Sequence, residues 1–354
     1  MSSHNYKELD TTSVLDSSGR GHKSWLAGRP TAFWVGIVIF VLCLAFNLKS
    51  GGIFLSADSL EALALDGAVG ILLASGMTFL LAAGQLDLSL GANLVLSSVA
   101  AAMVIKSIAP IGAEQPSDSR AVTASLLGVV AAVLCGAVFG LLNGLIVTKM
   151  HVNSFIATLG TALAASGLVL VVTNGSNVSG MPELLQSTIG TSSLFGVIPY
   201  QTVVVALVVG GLWFLMRCSR LGLHSVAIGS SYAASSRSGM NITSTVVRLF
   251  VLMGTLGGLA GFLTLSRFST TVIGGSRDAA LAAIAAAVIG GTSLFGGVAT
   301  VGGSVVGALL PVVLAAGLIV IGVPSFYQQI VVGLILILAV YVDNRRRSRR
   351  EANR

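Results

Sequence analysis

Few side chains in this sequence could do chemistry, and their types and spacing narrow what that chemistry is. The histidines, His4, His22, His151 and His224, sit in polar stretches at or outside the ends of apolar runs, a poor arrangement for a proton relay. Cys43, Cys135 and Cys218 lie far apart. They match no metal-ligand spacing, and their odd number suggests no disulfide framework, so they read as small buried hydrophobes. No Ser-His-Asp set, carboxylate pair or Cys/His cluster stands out, so no catalysis, metal or cofactor is expected. A phosphate-cradling P-loop needs a Gly-Lys pair, and the chain has none. If ATP drives this protein, another polypeptide binds it.

Three segments remain as candidates. In Gly84-Gln85-Leu86-Asp87-Leu88-Ser89-Leu90-Gly91, an acid stands between two apolar runs. An acid at membrane depth is costly and usually functional. The commoner role is capping, with Asp87 and Ser89 at the N-terminus of the following helix, and a cap that fixes two helices also bears on gating. Residues 217–248 form the longest polar stretch between apolar runs. Within it, small residues at helical spacing from Ser225 to Gly239 predict a short helix with Gly239 as its C-terminal stop. Such a helix, flanked by arginines, suits docking to a partner as well as it suits an ordinary charged loop. In Ile289–Gly297, glycine pairs bracket Thr292-Ser293 and Leu294-Phe295, which predicts a broken helix at a cavity or a close crossing. Asn93, Asn143, Thr158, Thr161, Gln328 and Gln329 add uncharged donors and acceptors inside apolar runs. Each is more often an interhelical hydrogen bond than a ligand contact, but as a set they suit a neutral hydroxylated solute.

The elements that must hold these residues are set by composition. Of 354 residues, 54% are hydrophobic and 9% charged, against about 25% charged in ordinary soluble domains. A soluble shell cannot be built from so few charges. The fold class is therefore all-α and integral to the membrane, with ten spans expected at 33–49, 66–84, 90–108, 122–147, 154–173, 200–216, 247–266, 278–292, 301–321 and 327–342. Residues 53–65 read as an interfacial lead into the second span, with Asp58 and Glu61 facing water. The 43 glycines fit close helix approach in lipid. With both termini in the cytoplasm, fifteen Lys/Arg fall inside and five outside, and 174–199, the longest outer loop, has none. Residues 1–32 read as a disordered cytoplasmic leader, 33–343 as the transmembrane domain and 344–354 as a basic tail. That tail, with Arg345, Arg346, Arg347, Arg349, Arg350 and Arg354, suits an anionic cytoplasmic leaflet. No basic helix with interleaved aromatics appears, so nucleic acid is excluded as the partner of the +7 charge.

Taken together, these segments resemble the bacterial ribose/xylose/galactose-type ABC permease family, within the branched-chain amino acid and sugar permease superfamily. Gly84, Asp87, Leu88, Ser89 and Gly91 match its Gly-Gly-Ile-Asp-Leu-Ser-Val-Gly turn. Asn143-Gly144 and Phe155-Ile156-Ala157-Thr158-Leu159-Gly160 are similar to its Asn-Gly and Phe-Ile-x-Thr-Leu-Gly elements. Ala227-Ile228-Gly229, Ala233-Ala234 and Ser238-Gly239-Met240 resemble the loop that contacts the ATPase, and Ile284–Leu294 is the closest match. The similarity runs in order from about residue 53 to 343. Two departures stand out: Gln85-Leu86 replaces Gly-Ile, and Ala280–Ala283 lacks the acids of the usual Glu-Leu-Asp, which removes a charge-based gate there.

The resemblance implies the fold of a type II ABC importer permease in the bacterial inner membrane. It also implies a second permease copy, a periplasmic sugar-binding protein outside and an ATPase subunit docked inside. Ala227, Ile228, Gly229, Ala233, Ala234 and Gly239 would couple to the ATPase. Asp87, Ser89, Asn143, Thr158 and Thr292 are candidates for the pathway or its gate. The competing expectation is an ion-coupled secondary transporter of a small neutral solute, with Asp87 and Asp278 as its only acidic candidates. A channel would show polar rings that the sequence lacks.

Overall fold

Apolar length makes the helices of this protein, and glycine decides how closely they cross. A computed structural model describes residues 31–324 except 112–114, 195, 197 and 277, together with 327, 330, 333, 334 and 337. The described residues belong to one compact unit that opens at Thr31. The leader, but for Thr31 and Ala32, and the basic tail lie outside the described residues. So do Gln328, Gln329 and most of the expected tenth span.

Among the described residues the chain is all-α apart from one hairpin of two-residue strands and an isolated bridge between Ser179 and Thr270. Its helices are α1 (Thr31–Lys49), α2 (Ala57–Ala82), α3 (Leu90–Ile108), α4 (Asp118–Lys149), α5 (Ser154–Thr173), α6 (Glu183–Leu185), α7 (Tyr200–Cys218), α8 (Arg220–Ser230), α9 (Tyr232–Arg237), α10 (Ile242–Phe268), α11 (Ala279–Ile289) and α12 (Val301–Val320). Strands β1 (Ser193–Leu194) and β2 (Ile198–Pro199) pair antiparallel between α6 and α7. Among the described residues, eight helices are long and apolar enough to cross a membrane: α1 to α5, α7, α10 and α12.

Two expectations need correction. The eighth expected span is the 11-residue α11, about 16 Å long against the roughly 30 Å of a bilayer core. Hydropathy alone merged it with the apolar turn that follows. The interfacial segment is a 3-10 turn, Ile53–Leu55, and the first turns of an unbroken 26-residue α2. Ser56 starts α2 by accepting from the Ser59 N–H, with Asp58 exposed and Glu61 half-buried.

Alternation of helix direction gives the bundle two ends. The near end carries the turns 83–89, 150–153, 219–241 and 290–300. The far end carries the α1–α2, α3–α4, α5–α7 and α10–α11 connections. At the centre are α2, α3 and α10, mostly buried, whereas α1, α5 and α7 leave apolar faces outward. The outward-facing apolar side chains, such as Leu163, Val171 and Leu207, are what a helix facing lipid should show.

The tightest crossing is glycine against glycine. Along α4, Ala124, Gly128, Ala132, Gly136, Gly140 and Gly144 recur every fourth residue in a slowly winding stripe, whose members from Ala132 on make one face. Gly254 and Gly258 of α10 meet that face. A Cβ on Gly254 would run into the Gly136 carbonyl, and one on Gly136 would run into that of Gly254. A second face of α10, at Gly257 and Gly261, meets Asn93 and the Leu94 carbonyl of α3. Asn93 locks that contact by donating from Nδ2 to the Gly254 carbonyl at 3.1 Å, while its Oδ1 accepts from Ser97 Oγ at 3.2 Å. Without water to drive association, backbone proximity of this kind holds helices together.

At the far end, Arg267 of α10 donates to Asp66 of α2 at 2.6 Å. The pair is partly exposed, so it should contribute little, about 0.2–1 kcal/mol. A double-mutant cycle with Arg267→Gln and Asp66→Asn, read by thermal unfolding in detergent, is expected to return a coupling within that range. A larger coupling would show that the pair is better shielded than its exposure implies.

Candidate functional site

The near end gathers most of the residues the sequence singled out. Gly84, with positive φ, ends the turn after α2, and the chain then runs inward through Asp87 and Ser89 to α3. Asp87 is buried, and its Oδ1 accepts from the Ser89 N–H at 2.9 Å and from Ser89 Oγ at 2.5 Å. Burial pushes the Asp87 carboxyl up, and the two bonds from Ser89 pull it partly back.

Capping of α3 is therefore overturned. Asp87 closes a two-residue turn on Ser89 instead, and Ser89 makes no side-chain bond to the helix N–H groups. The reason lies on α4: Asn143 Nδ2 donates to Ser89 Oγ at 2.7 Å and draws that hydroxyl away from the helix end.

From Asn143 the chain of bonds continues into α5. Thr161 Oγ1 donates to Asn143 Oδ1 at 2.7 Å. One turn earlier, Thr158 Oγ1 accepts from the Leu88 N–H at 3.0 Å and donates to the Ser154 carbonyl at 2.7 Å. Ser154 Oγ accepts from the Leu86 N–H at 3.3 Å. Asp87, Ser89, Asn143 and Thr158 thus form one buried network that ties the α2–α3 turn to α4 and α5. Satisfied polar networks in a low-dielectric interior fix one geometry, because each group left unpaired is costly.

Thr292 is not part of this network. It sits in a second buried group of hydroxyls, in which Thr78 Oγ1 and Ser304 Oγ lie 2.6 Å apart. Thr292 Oγ1 accepts from the Thr300 N–H at 3.2 Å and lies 3.5 Å from Ser304 Oγ. This group joins α2, the α11–α12 turn and α12 where the glycine-bracketed segment breaks the chain. The expected close crossing is present: a Cβ on Gly290 would run into the Gly303 carbonyl, and one on Gly307 into that of Ala286.

The coupling candidates divide between two faces. The expected single helix is two, α8 and α9, broken where Ser231 turns extended and caps α9 through the Ala234 N–H at 3.2 Å. Ile228 is buried, Ala227 is half-buried, and Gly229 fits against the Ala82 carbonyl and the Gly297 nitrogen. Ala233, Ala234 and Gly239 are exposed, as are Leu223 on α8 and Tyr232 on α9. Gly239, at φ 76°, follows α9 in a left-handed conformation that only glycine adopts cheaply, as its position predicted.

Three sets of residues escaped the sequence reading. Ser154 looked like a helix start, and its four-residue spacing to Thr158 was the available signal. Thr78 and Ser304 sit in separate spans, and nothing local pairs them. Gln201, at the first turn of α7, is buried and donates to the Leu263 carbonyl at 2.9 Å and to Ser266 Oγ at 3.1 Å. A glutamine one residue inside an apolar run marked it. Among the described residues, no group of histidine, cysteine and acidic side chains could hold a metal ion.

Comparison with known proteins places this architecture. Residues 59–340 match the family model described as "Branched-chain amino acid transport system / permease component". The ribose import permease protein RbsC of Escherichia coli K12 is 34% identical over 334 residues, covering 93% of this chain and 98% of that protein. The L-arabinose ABC transporter permease protein AraH of Azospirillum brasilense is 32% identical over 339 residues, covering 96% of this chain and 94% of that protein. The galactose/methyl galactoside import permease protein MglC of Escherichia coli K12 is 31% identical over 323 residues, covering 89% and 94%. No solved structure matches the chain. With the family model spanning the bundle from the first turn of α2 onward, and relatives aligned over nearly their whole length, this chain belongs to the family of ABC permease components described for branched-chain amino acid transport systems.

Proposed function

We propose that this chain is the membrane-spanning subunit of an ATP-driven ABC importer for a pentose- or hexose-like sugar. In this reading a periplasmic binding protein delivers the sugar, and a separate cytoplasmic ATPase hydrolyses the nucleotide. The observation that carries the proposal is end-to-end similarity to permeases named for ribose, arabinose and galactose. The same similarity favours it over an ion-coupled transporter.

The near end faces the cytoplasm in this proposal. It bears Lys149, Arg217, Arg220, Arg237 and Arg248, the bias expected of cytoplasmic loops. Arg217 also lies 5.4 Å from the ring centre of Trp213, an interfacial anchor. The exposed surface of Tyr232, Ala233 and Ala234 then receives the ATPase. Gly229 serves instead as an internal joint, and its substitution would test the fold rather than docking. A second copy of the chain completes the membrane unit across outward-facing helices.

One experiment tests the proposal in two arms. Uptake of labelled ribose, arabinose and galactose by cells expressing the full transporter is expected to stop on ATP depletion and to survive an ionophore. Ala233→Trp, on an exposed position, is expected to abolish copurification of the ATPase while the permease stays monodisperse. Uptake that persists without ATP, or that collapses with the ion gradient alone, would sink the reading.

A further inference from the structure

We propose that the α2–α3 turn is a relay carrying movement of α8 to α5, with Thr158 as its main positioning residue. The inference rests on the permease reading above, because it assumes that α8 is moved by a partner.

On one flank the end of α2 and the turn meet α8 and the α11–α12 turn backbone against backbone. The Gly297 N–H donates to the Ala82 carbonyl at 3.0 Å. A Cβ on Gly229 would run into that same carbonyl and would come within 2.6 Å of the Gly297 nitrogen. A Cβ on Gly296 would lie 2.8 Å from the Gly229 Cα and 3.1 Å from the Gly84 nitrogen. Gly296 and Gly297 hold φ of 93° and 78°, a conformation other residues resist. Backbone in such contact has no rotamers with which to yield, so α8 cannot slide past the turn without carrying it along.

On the other flank the turn grips α5 through side chains. The Leu88 N–H donates to Thr158 Oγ1 and the Leu86 N–H to Ser154 Oγ, and Ser89 reaches Thr161 through Asn143. Among the described residues, these are the hydrogen bonds that tie α5 to the rest of the bundle. Beyond them α5 is held by packing on α3 and α4, with Ile156, Leu163 and Val171 turned outward. A helix with so little of its surface buried, fastened polar group by polar group at one end, follows whatever moves that end. The device is a rigid joint followed by a hydrogen-bonded one, and the second can be cut without touching the first.

The test uses the complete transporter, permease with its ATPase and binding protein, in lipid nanodiscs. Spin labels on cysteines replacing Leu126 (α4), Leu163 (α5) and Leu223 (α8), in a background without the three native cysteines, report two distances. Each is measured without nucleotide and with ATP plus vanadate. In the unaltered relay both distances, 126 to 163 and 126 to 223, are expected to shift with nucleotide. Thr158→Val, equal in size but unable to accept from Leu88, is expected to abolish the first shift and leave the second. Thr158→Ser is expected to restore it.

The surviving α8 response reports that the variant is folded. Should Thr158→Val not assemble, Thr161→Val cuts the parallel branch at a half-buried position and is expected to weaken the same shift. An α5 shift that persists in both valine variants overturns the relay, as does a serine variant as silent as valine. A transporter in which neither distance responds to nucleotide before any substitution overturns the permease reading itself, which is a separate outcome.

Discussion

Gly254→Val is expected to leave no monodisperse protein after detergent extraction. Overpacking a core usually costs about 1–3 kcal/mol, because neighbouring side chains can turn aside. Nothing at this position can turn aside. The added carbon would meet the Gly136 carbonyl oxygen and the Cα and N of Gly140, all backbone. Relief requires α4 and α10 to separate, which also opens the contacts at Gly258 and Gly144 and strains the Asn93 bond to the Gly254 carbonyl. The cost should therefore exceed about 3 kcal/mol, the upper end of ordinary overpacking. Size-exclusion profiles after membrane extraction measure it. The matched control is Gly210→Val on α7, where a Cβ meets nothing within 4 Å and residue 210 is exposed; its profile should be unchanged. Equal behaviour of the two variants would refute the crossing as described.

The second large effect separates two substitutions at one residue. Asp87→Leu should destabilise strongly, whereas Asp87→Asn should stay near wild type. Leucine leaves the Ser89 N–H and hydroxyl without their acceptor in a buried site, at about 1–3 kcal/mol for each donor. Asparagine keeps a carbonyl oxygen in the same place. Burial also pushes the Asp87 carboxyl up, so less is lost with the charge than at an exposed acid. Among the described residues, the ion pair of the molecule is Arg267–Asp66, far from Asp87, so no countercharge is orphaned by the change. Thermal unfolding in lipid and uptake assays read both variants. A severe defect in Asp87→Asn with normal folding would assign the ionised carboxylate a part in transport.

Helix identity was legible because apolar runs of bilayer length leave little else to form, and α3 and α5 begin and end where their sequences said. What misled was local. The run 278–292 reads as one apolar stretch, yet α11 stops at Gly290, where a Cβ would run into the Gly303 backbone of α12, and Gly291, at φ 100°, turns the chain. Asp87 and Ser89 have the composition of a helix cap, and only Asn143, on another helix, shows why they are not one. Gly229 was grouped with Ala233 because both are small in a polar loop. Their faces differ because the groove that receives Gly229 is made by residues 82, 296 and 297, remote in sequence. The family pattern pointed to Asp87, Ser89, Asn143 and Thr158 without pairing them, and the Thr78–Ser304 contact, 226 positions apart, had no local signal at all.

The glycine face of α4 has a consequence for how the protein is made. Its matching face on α10 is encoded more than a hundred residues later, so at bacterial elongation rates α4 waits on the order of ten seconds for it during synthesis. Through that interval a grooved, sticky helix lies in the membrane unmated, and any other small-faced helix nearby can claim it. Correct biogenesis therefore depends on the insertion machinery, or α3 and α5, shielding that surface until α10 arrives.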